Sequence, residues 1–189
     1  DAVDGAQNVE LRLGAHLYRY SLLATQLPGS SVPLYLVHCP AVFDRPTIYT
    51  IGSDEHLRFL VLQRAALDGC QRLKFAPQIV HCNDWHTALI PMLIKTVYAW
   101  DEMFRRARTV MSIHNIGYQG WFDASTTYDV GGNIWDLLAP ETRAGGGFNW
   151  LREGVRNADA VTTVSPTYAA EIATPLGGHA TDAGFQDVQ

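Results

Sequence analysis

The sequence predicts an α/β fold, a parallel sheet with helices on both faces. Three observations carry this expectation. Short apolar runs alternate with helix-length patterns in three successive units, at 77–100, 108–120 and 160–173. Each run stops in a polar cluster: His81 to His86, then His114 and Asn115, then Ser165-Pro166-Thr167. In an open α/β sheet, ligands bind outside the carboxyl ends of strands, so three such clusters on one edge can line one cleft. Finally, 189 residues at 47% hydrophobic and 17% charged suffice for one globular domain of ordinary size.

In chain order, residues 1–8 read as a frayed lead-in. Val9 to Leu13 alternates apolar and polar, as a half-buried strand does. A second strand is expected over Tyr18 to Gln26, and Pro28-Gly29-Ser30-Ser31 is a turn. Val32 to His38 is rich in β-branched and aromatic residues and reads as a third strand. Phe43-Asp44-Arg45-Pro46 opens a loop. Ser53 is placed to cap a helix running to about Leu73, with Asp54 and Glu55 at its positive end.

The strand Pro77 to His81 follows, then a helix from about Thr87 to Trp100. Asp101 to Arg108 is charged. Arg108 to Ile113 is a short apolar strand. Residues 121–147 read as a long loop with a short helix near Ile134 to Leu138, and loops of that length are usually functional or mobile. Phe148 to Asn157 reads as a helix and Ala160 to Val164 as a strand. Ser165 and Pro166 then start the helix Tyr168 to Ala173.

The formal net charge of −5 gives no support for nucleic acid as a partner. No apolar run reaches the ~18 residues of a membrane span. The acidic opening DAVDGAQNVE is unlike a signal peptide. Cys39, Cys70 and Cys82 form no C-x-x-C pair, so a reducing, cytoplasmic setting is expected.

The junctions hold the candidate chemistry. His86, at a strand-to-helix turn, can hydrogen-bond a sugar hydroxyl or a group gaining negative charge, although a histidine there also serves to cap or pack. Asp84 is better suited to orienting a neighbour or capping than to nucleophilic attack. His81, Asp84, His86 and His114 are acceptable metal ligands by type, but H-x-x-D-x-H is no established ligand spacing, and no metal is expected. Gly117-x-x-Gly120 and Gly145-Gly146-Gly147 match neither dinucleotide nor P-loop patterns. Ser165 lacks the G-x-S-x-G elbow of a hydrolase. The hydroxyls of Ser165 and Thr167 can cap a helix or hold an anion. Pattern alone thus indicates a nucleotide- or sugar-binding α/β domain.

Several longer motifs go further. His81-Cys82-Asn83-Asp84-Trp85-His86-Thr87-Ala88-Leu89 resembles the H-x-[HN]-D-W-H-[TA]-[AG]-L motif of bacterial glycogen synthases and plant starch synthases. Ser112 to Gly120 resembles that family's [TS]-[IV]-H-N-[LI]-x-Y-Q-G, and Asp159 to Ile172 its D-x-[IV]-T-[TA]-V-S-P-[TS]-Y-A-x-E-I. Phe43 to Pro46, Asp54 to Phe59 and Phe148 to Gly154 fit in the same order, so the resemblance spans roughly residues 32 to 176.

The resemblance implies the Rossmann-like N-terminal half of a GT-B glycosyltransferase, truncated at both ends, with the C-terminal GT-B domain absent. It implies a retaining transfer of glucose from ADP-glucose (UDP-glucose in some relatives) to the end of an α-1,4-glucan, without metal or cofactor. His86 matches the histidine at the donor glucose and is the expected catalytic residue, holding the sugar and stabilising charge in the transition state rather than acting as a nucleophile. Asn83, Asp84, His114, Asn115, Tyr118 and Gln119 would line the cleft. Asp54 and Arg58 match a helix near the acceptor, and Ser165 and Thr167 complete the expected binding set. The family's K-x-G-G-L loop has no counterpart before Val9, the stretch between Pro46 and Asp54 is shorter than usual, and the tail at 177–189 diverges. The chain alone is therefore expected not to transfer glucose. The alternatives are a non-catalytic glucan- or nucleotide-sugar-binding fragment, and another GT-B enzyme.

Overall fold

A computed structural model of the chain describes residues 1–50 and 52–174, which leaves the divergent tail outside the described residues. The chain divides into two compact units, residues 1–75 and residues from 76 onward.

The first unit is an antiparallel meander of β1 (Val9–Leu13), β2 (His16–Gln26) and β3 (Pro33–His38). In β1 the alternation works as read: Val9, Leu11 and Leu13 are buried while Glu10 and Arg12 face out. Residues 1–6 correct the expectation of a frayed lead-in. The Val3 N–H donates to the Leu22 carbonyl at 2.9 Å and the Leu22 N–H to the Ala6 carbonyl at 2.8 Å, and Ala6 is fully buried. Backbone groups that find partners on β2 do not fray.

After β3 come a single turn, α1 (Pro40–Phe43), and a long helix, α2 (Glu55–Arg72). Leu57, Leu60, Val61, Ala65 and Leu67 of α2 are buried, and the helix packs on all three strands. Asp54, not Ser53, is the residue at the N-cap, and its side chain makes no cap bond because Arg45 takes it.

The second unit contains the expected parallel sheet. β4 (Ile79–Asn83), β5 (Arg108–Ile113) and β8 (Ala160–Thr163) lie in that order, both pairs parallel. A 3-10 turn (Trp85–Thr87) and α3 (Ile90–Lys95) connect β4 to β5. The longer crossover from β5 to β8 holds β6 (Trp121–Phe122), α4 (Thr127–Val130), α5 (Pro140–Arg143), β7 (Phe148–Asn149) and α6 (Trp150–Asn157). α7 (Pro166–Ile172) follows β8. α3 and α6 pack against each other, so the two crossover helices share one face of this sheet. Cys82 and Met111 are cross-strand partners and both buried, while His81, Asn83 and Thr162 are exposed.

Several expected boundaries move for local reasons. β4 runs two residues further than expected, so Cys82 and Asn83 belong to the strand itself. The helix expected to reach Trp100 ends at Lys95, where Thr96 leaves helical geometry at φ −125° and its hydroxyl bonds back to Met92. The helix expected from Phe148 starts at Trp150, because Phe148 and Asn149 pair with β6 and the Asn149 side chain caps α6 through the Arg152 N–H. The long loop 121–147 is built of short turns and helices, including a 3-10 turn at Trp135–Leu137 inside the expected 134–138 segment. Among the described residues no helix is long and apolar enough to cross a membrane.

Candidate functional site

The site grows from the end of β4. Asp84 breaks the strand with φ 55° and ψ −177°, a conformation that costs a non-glycine residue about 1 to 3 kcal/mol. Its surroundings hold it there. The Asp84 N–H donates to the Ser112 carbonyl at 2.9 Å. Its Oδ1 accepts from the backbone N–H groups of His114 at 2.8 Å and Asn115 at 3.4 Å. The Thr87 hydroxyl accepts from the Asn83 N–H at 2.6 Å and donates to the Asn83 carbonyl at 2.9 Å. The carboxylate thus fastens the end of β4 to the end of β5.

The ring of His114 is oriented by Asn83: Nε2 donates to the Asn83 Oδ1 at 2.9 Å, leaving Nδ1 toward other partners. His114, Asn115 and Tyr118 are exposed, Tyr118 at 68%. The third junction joins them through Tyr168, whose hydroxyl accepts from the Ile116 N–H at 2.9 Å. Ser165 caps α7 by accepting from the Tyr168 N–H at 3.0 Å, and Thr167 is exposed beside it. Asn83, Asp84, His114, Asn115 and Ser165 therefore form one linked edge.

Gln119 departs from the expected cleft lining. It is buried, its amide donates to the Ile116 carbonyl at 3.0 Å, and its Oε1 accepts from Asn149 at 2.6 Å. It ties β5's exit loop to the start of α6 instead of facing a ligand.

His86 is half-buried, its ring centroid 4.1 Å from that of Trp85. Two glycines fix this segment. A Cβ on Gly120 would stand 2.5 Å from the Trp85 ring, and one on Gly154 would stand 2.6 Å from the Ala88 carbonyl oxygen. Trp85 in turn packs on Phe122 and Trp150, so α6 and β6 back the turn that carries His86.

Two arrangements lie outside the expected set. His81 Nε2 and the Ser112 hydroxyl are 2.6 Å apart, and Ser112 and the Thr162 hydroxyl 2.6 Å, a polar ladder across all three strands. No signal in the sequence marked it, since His81 stands opposite Val110, not Ser112, in the parallel register. Behind the site, Glu153 is fully buried and accepts from the Ala139 N–H at 2.9 Å and the Thr142 hydroxyl at 2.7 Å. Burial pushes its carboxyl pKa up.

In the first unit, Asp54 and Arg58 are both engaged internally. Asp54 forms a two-pronged pair with Arg45, at 3.1 and 2.5 Å, whose hydrogen bonds hold its carboxyl below the usual range. Arg58 is buried; its guanidinium donates to the Ile48 carbonyl and to Glu55 and lies 5.2 Å from the Phe59 ring centroid.

Chemically, the edge of the second unit offers hydroxyl, amide and imidazole groups on a carboxylate-locked backbone, a set suited to sugar hydroxyls. The segments 83–90, 112–120 and 163–170 contain no lysine or arginine. Among the described residues no three His, Cys, Asp or Glu side chains gather in a way that could hold a metal ion.

Comparison with known proteins shows which family the chain resembles. The family model described as the starch synthase catalytic domain matches residues 2–187. The chain is similar to glycogen synthase of Aeromonas salmonicida, 42% identical over 164 residues, covering 85% of this chain and 33% of that protein. It is similar to glycogen synthase of Photobacterium profundum, 37% identical over 188 residues, covering 95% and 36%. In structure it is similar to the catalytic domain of Starch Synthase IV from Arabidopsis thaliana bound to ADP and acarbose, with a TM-score of 0.82 and 31% identity over 94% of this chain and 36% of that one. The chain spans about a third of the length of the relatives it matches.

Proposed function

The chain belongs to the starch synthase catalytic domain family, and from that premise we propose that its second unit supplies the sugar-holding edge of a retaining glucosyl transfer. The donor is ADP-glucose and the acceptor the terminal 4-hydroxyl of an α-1,4-glucan. In the step, the bond from glucose C1 to the diphosphate oxygen breaks and ADP leaves with the electron pair. A bond from C1 to the glucan O4 forms on the same face, and the hydroxyl proton passes to the departing diphosphate. The nucleotide sugar is itself the activated donor, and no cofactor or metal is proposed for the step. The ADP and acarbose held by the Arabidopsis neighbour support this choice of substrates.

One observation carries the reading: the Asp84 carboxylate fixes the backbone of His114 and Asn115 while Asn83 orients the His114 ring. Groups locked before the ligand arrives lose little freedom on binding. His114, exposed at the edge, is the leading sugar contact; His86, half-buried on Trp85, lines the site from behind. The lack of lysine and arginine in the three junctions favours binding over turnover for the chain by itself, since a leaving diphosphate needs cations. Three free cysteines agree with a reducing, cytoplasmic setting.

The test is a titration of the isotope-labelled chain with ADP-glucose and with maltotriose, read by amide NMR. Shifts are expected at residues 83–86 and 114–118, with no incorporation of labelled glucose into glycogen. Shifts confined elsewhere would overturn the site assignment, and incorporation by the chain alone would overturn the claim that it binds without turnover.

A further inference from the structure

Two stripes of contacts run along α6, each made by residues one turn apart. The first is Trp150 and Gly154. The Trp150 ring packs 6.2 Å from that of Trp85, and Gly154 lies against the Ala88 carbonyl, so this stripe backs the turn that carries His86. The helix also begins on the loop that follows Tyr118. The Trp150 N–H donates to the Gly120 carbonyl and the Leu151 N–H to the Gln119 carbonyl, both at 3.0 Å. The second stripe is Glu153 and Asn157, and it holds the segment 137–142. Glu153 accepts from the Ala139 N–H at 2.9 Å and from the Thr142 hydroxyl at 2.7 Å, and the Asn157 amide donates to the Leu137 carbonyl at 3.4 Å.

Glu153 is fully buried, and its two oxygens face two donors. Ala139 stands at the N-cap of α5 and has no side-chain oxygen to cap with; Glu153 supplies that acceptor from another helix. The Thr142 hydroxyl accepts from the Arg152 guanidinium at 2.9 Å, so its single proton goes to Glu153. A glutamine in this place would match the volume but offer one acceptor, and its NH2 would meet a donor. Filling the space alone would require neither oxygen, which marks the carboxylate as a clamp between α5 and α6. The far end of α6 is tied as well, because the Lys95 ammonium on α3 donates to the Asn157 carbonyl at 2.6 Å.

We propose that Glu153 is a positioning residue for the sugar-holding edge: it clamps α5 to α6, and α6 in turn sets the Trp85–His86 turn. The inference rests on the sugar-holding role proposed above. Gly154, the next residue along the helix, carries the effect. A Cβ there would stand 2.6 Å from the Ala88 carbonyl oxygen, so α6 and the backbone just after His86 are in direct contact. Close-packed elements transmit a displacement instead of absorbing it. A shift of α6 therefore reaches His86 through Ala88 and through the Trp85 ring, which lies 4.1 Å from the imidazole.

The experiment compares the parent chain with Glu153→Gln, Glu153→Ala and Thr142→Val, the last removing one donor while keeping the shape. The ring signals of His86 are read by proton–carbon NMR without ligand, where the nearby Trp85 ring makes them sensitive to small movements. Affinities for ADP-glucose and maltotriose are read by calorimetry, each at a temperature where the variant is folded. Asp159→Asn, at the opposite end of β5, is the control for lost stability alone. The His86 signals should move in both Glu153 variants, move less in Thr142→Val, and keep their parent positions in Asp159→Asn. Sugar affinity should fall on the order of fivefold in the Glu153 variants. Parent-like signals and affinity in Glu153→Gln would overturn the proposal, because a side chain of the right size would then suffice. An equal displacement in Asp159→Asn would overturn it too. If the Glu153 variants do not fold, Thr142→Val decides: unmoved His86 signals there would sink the clamp. If the parent binds neither sugar, the sugar-holding role fails by itself, and the unliganded His86 signals still show whether Glu153 places that ring.

Discussion

The carboxylate of Asp84 and the backbone N–H of His114 meet at 2.8 Å although 30 residues separate them in sequence. The bond joins the ends of two parallel strands, and it is made by a residue whose own backbone is strained at φ 55°. The strain and the hydrogen bonds should therefore separate under substitution. Asp84→Ala keeps the strain and loses the acceptor, with an expected loss of about 2 kcal/mol or more. Asp84→Gly loses the acceptor but relieves the strain, so its stability should lie within about 1 kcal/mol of the parent. In both, hydrogen exchange at the His114 and Asn115 amides should quicken. Denaturant midpoints and exchange rates check the pair.

The two histidines should behave differently. His114→Ala should weaken sugar binding on the order of tenfold, with little change in melting temperature, because the ring is exposed and its bond to Asn83 lies at the surface. His86→Ala removes a half-buried ring stacked on Trp85 and should lower stability as well. Calorimetric titration beside thermal melts distinguishes them. Equal behaviour of the two variants would refute the assignment of His114 as the leading contact.

Gly154→Ala should be destabilising by about 2 kcal/mol although alanine is the better helix former. The added methyl would meet the Ala88 carbonyl oxygen at 2.6 Å and the Ala88 Cβ at 2.8 Å, both on the short backbone link between His86 and α3. A weakened sugar affinity should accompany the loss, since the same link carries His86. A midpoint at or above that of the parent would show that α6 can shift freely.

Acid should loosen the start of β5 through Asp159. Its carboxylate accepts from the Thr109 N–H at 2.8 Å and the Thr109 hydroxyl at 2.9 Å and pairs with Arg108 at 3.0 Å. The backbone bond from Thr109 is the largest of the effects holding its pKa below the ordinary range. A depressed carboxylate contributes stability above its unfolded pKa and loses it as pH falls through the folded one. Asp159→Asn should therefore cost about 1 to 2 kcal/mol at neutral pH and flatten the stability decline below about pH 4. Urea melts from pH 7 to pH 3 measure it.

Where structure follows local pattern, the sequence was readable. β5 starts and ends at Arg108 and Ile113 as its apolar run does, and Ser165 caps α7 through the third-residue N–H that its position predicts. The polar junctions were readable for the same reason, because a strand's end is a local event. What escaped were consequences of contact between distant segments. Residues 1–6 are held by β2, Phe148 and Asn149 by β6, and Gln119 by Asn149. None of these pairings leaves a periodic trace. The inward turn of Gln119 could not be read from a motif that places it beside the exposed Tyr118. Likewise His86 and His114 look equivalent as polar residues at strand ends, and only packing against Trp85 sets one back from solvent.

The pairing of β5 with β8 has a consequence for the speed of folding. Partners in that pair lie 50 residues apart in sequence, as the Ser112–Thr162 bond illustrates, whereas β1, β2 and β3 pair through short turns. Closing a long loop must be accomplished before its contacts reward it, so distant parallel pairing is slow. The meander of residues 9–38 should gain its hydrogen bonds early, and β8 should dock last. In pulse-labelled hydrogen exchange, the β2 amides should be protected ahead of those of β8, and the sheet edge that holds His114 and Ser165 together would be the final part of the chain to take shape.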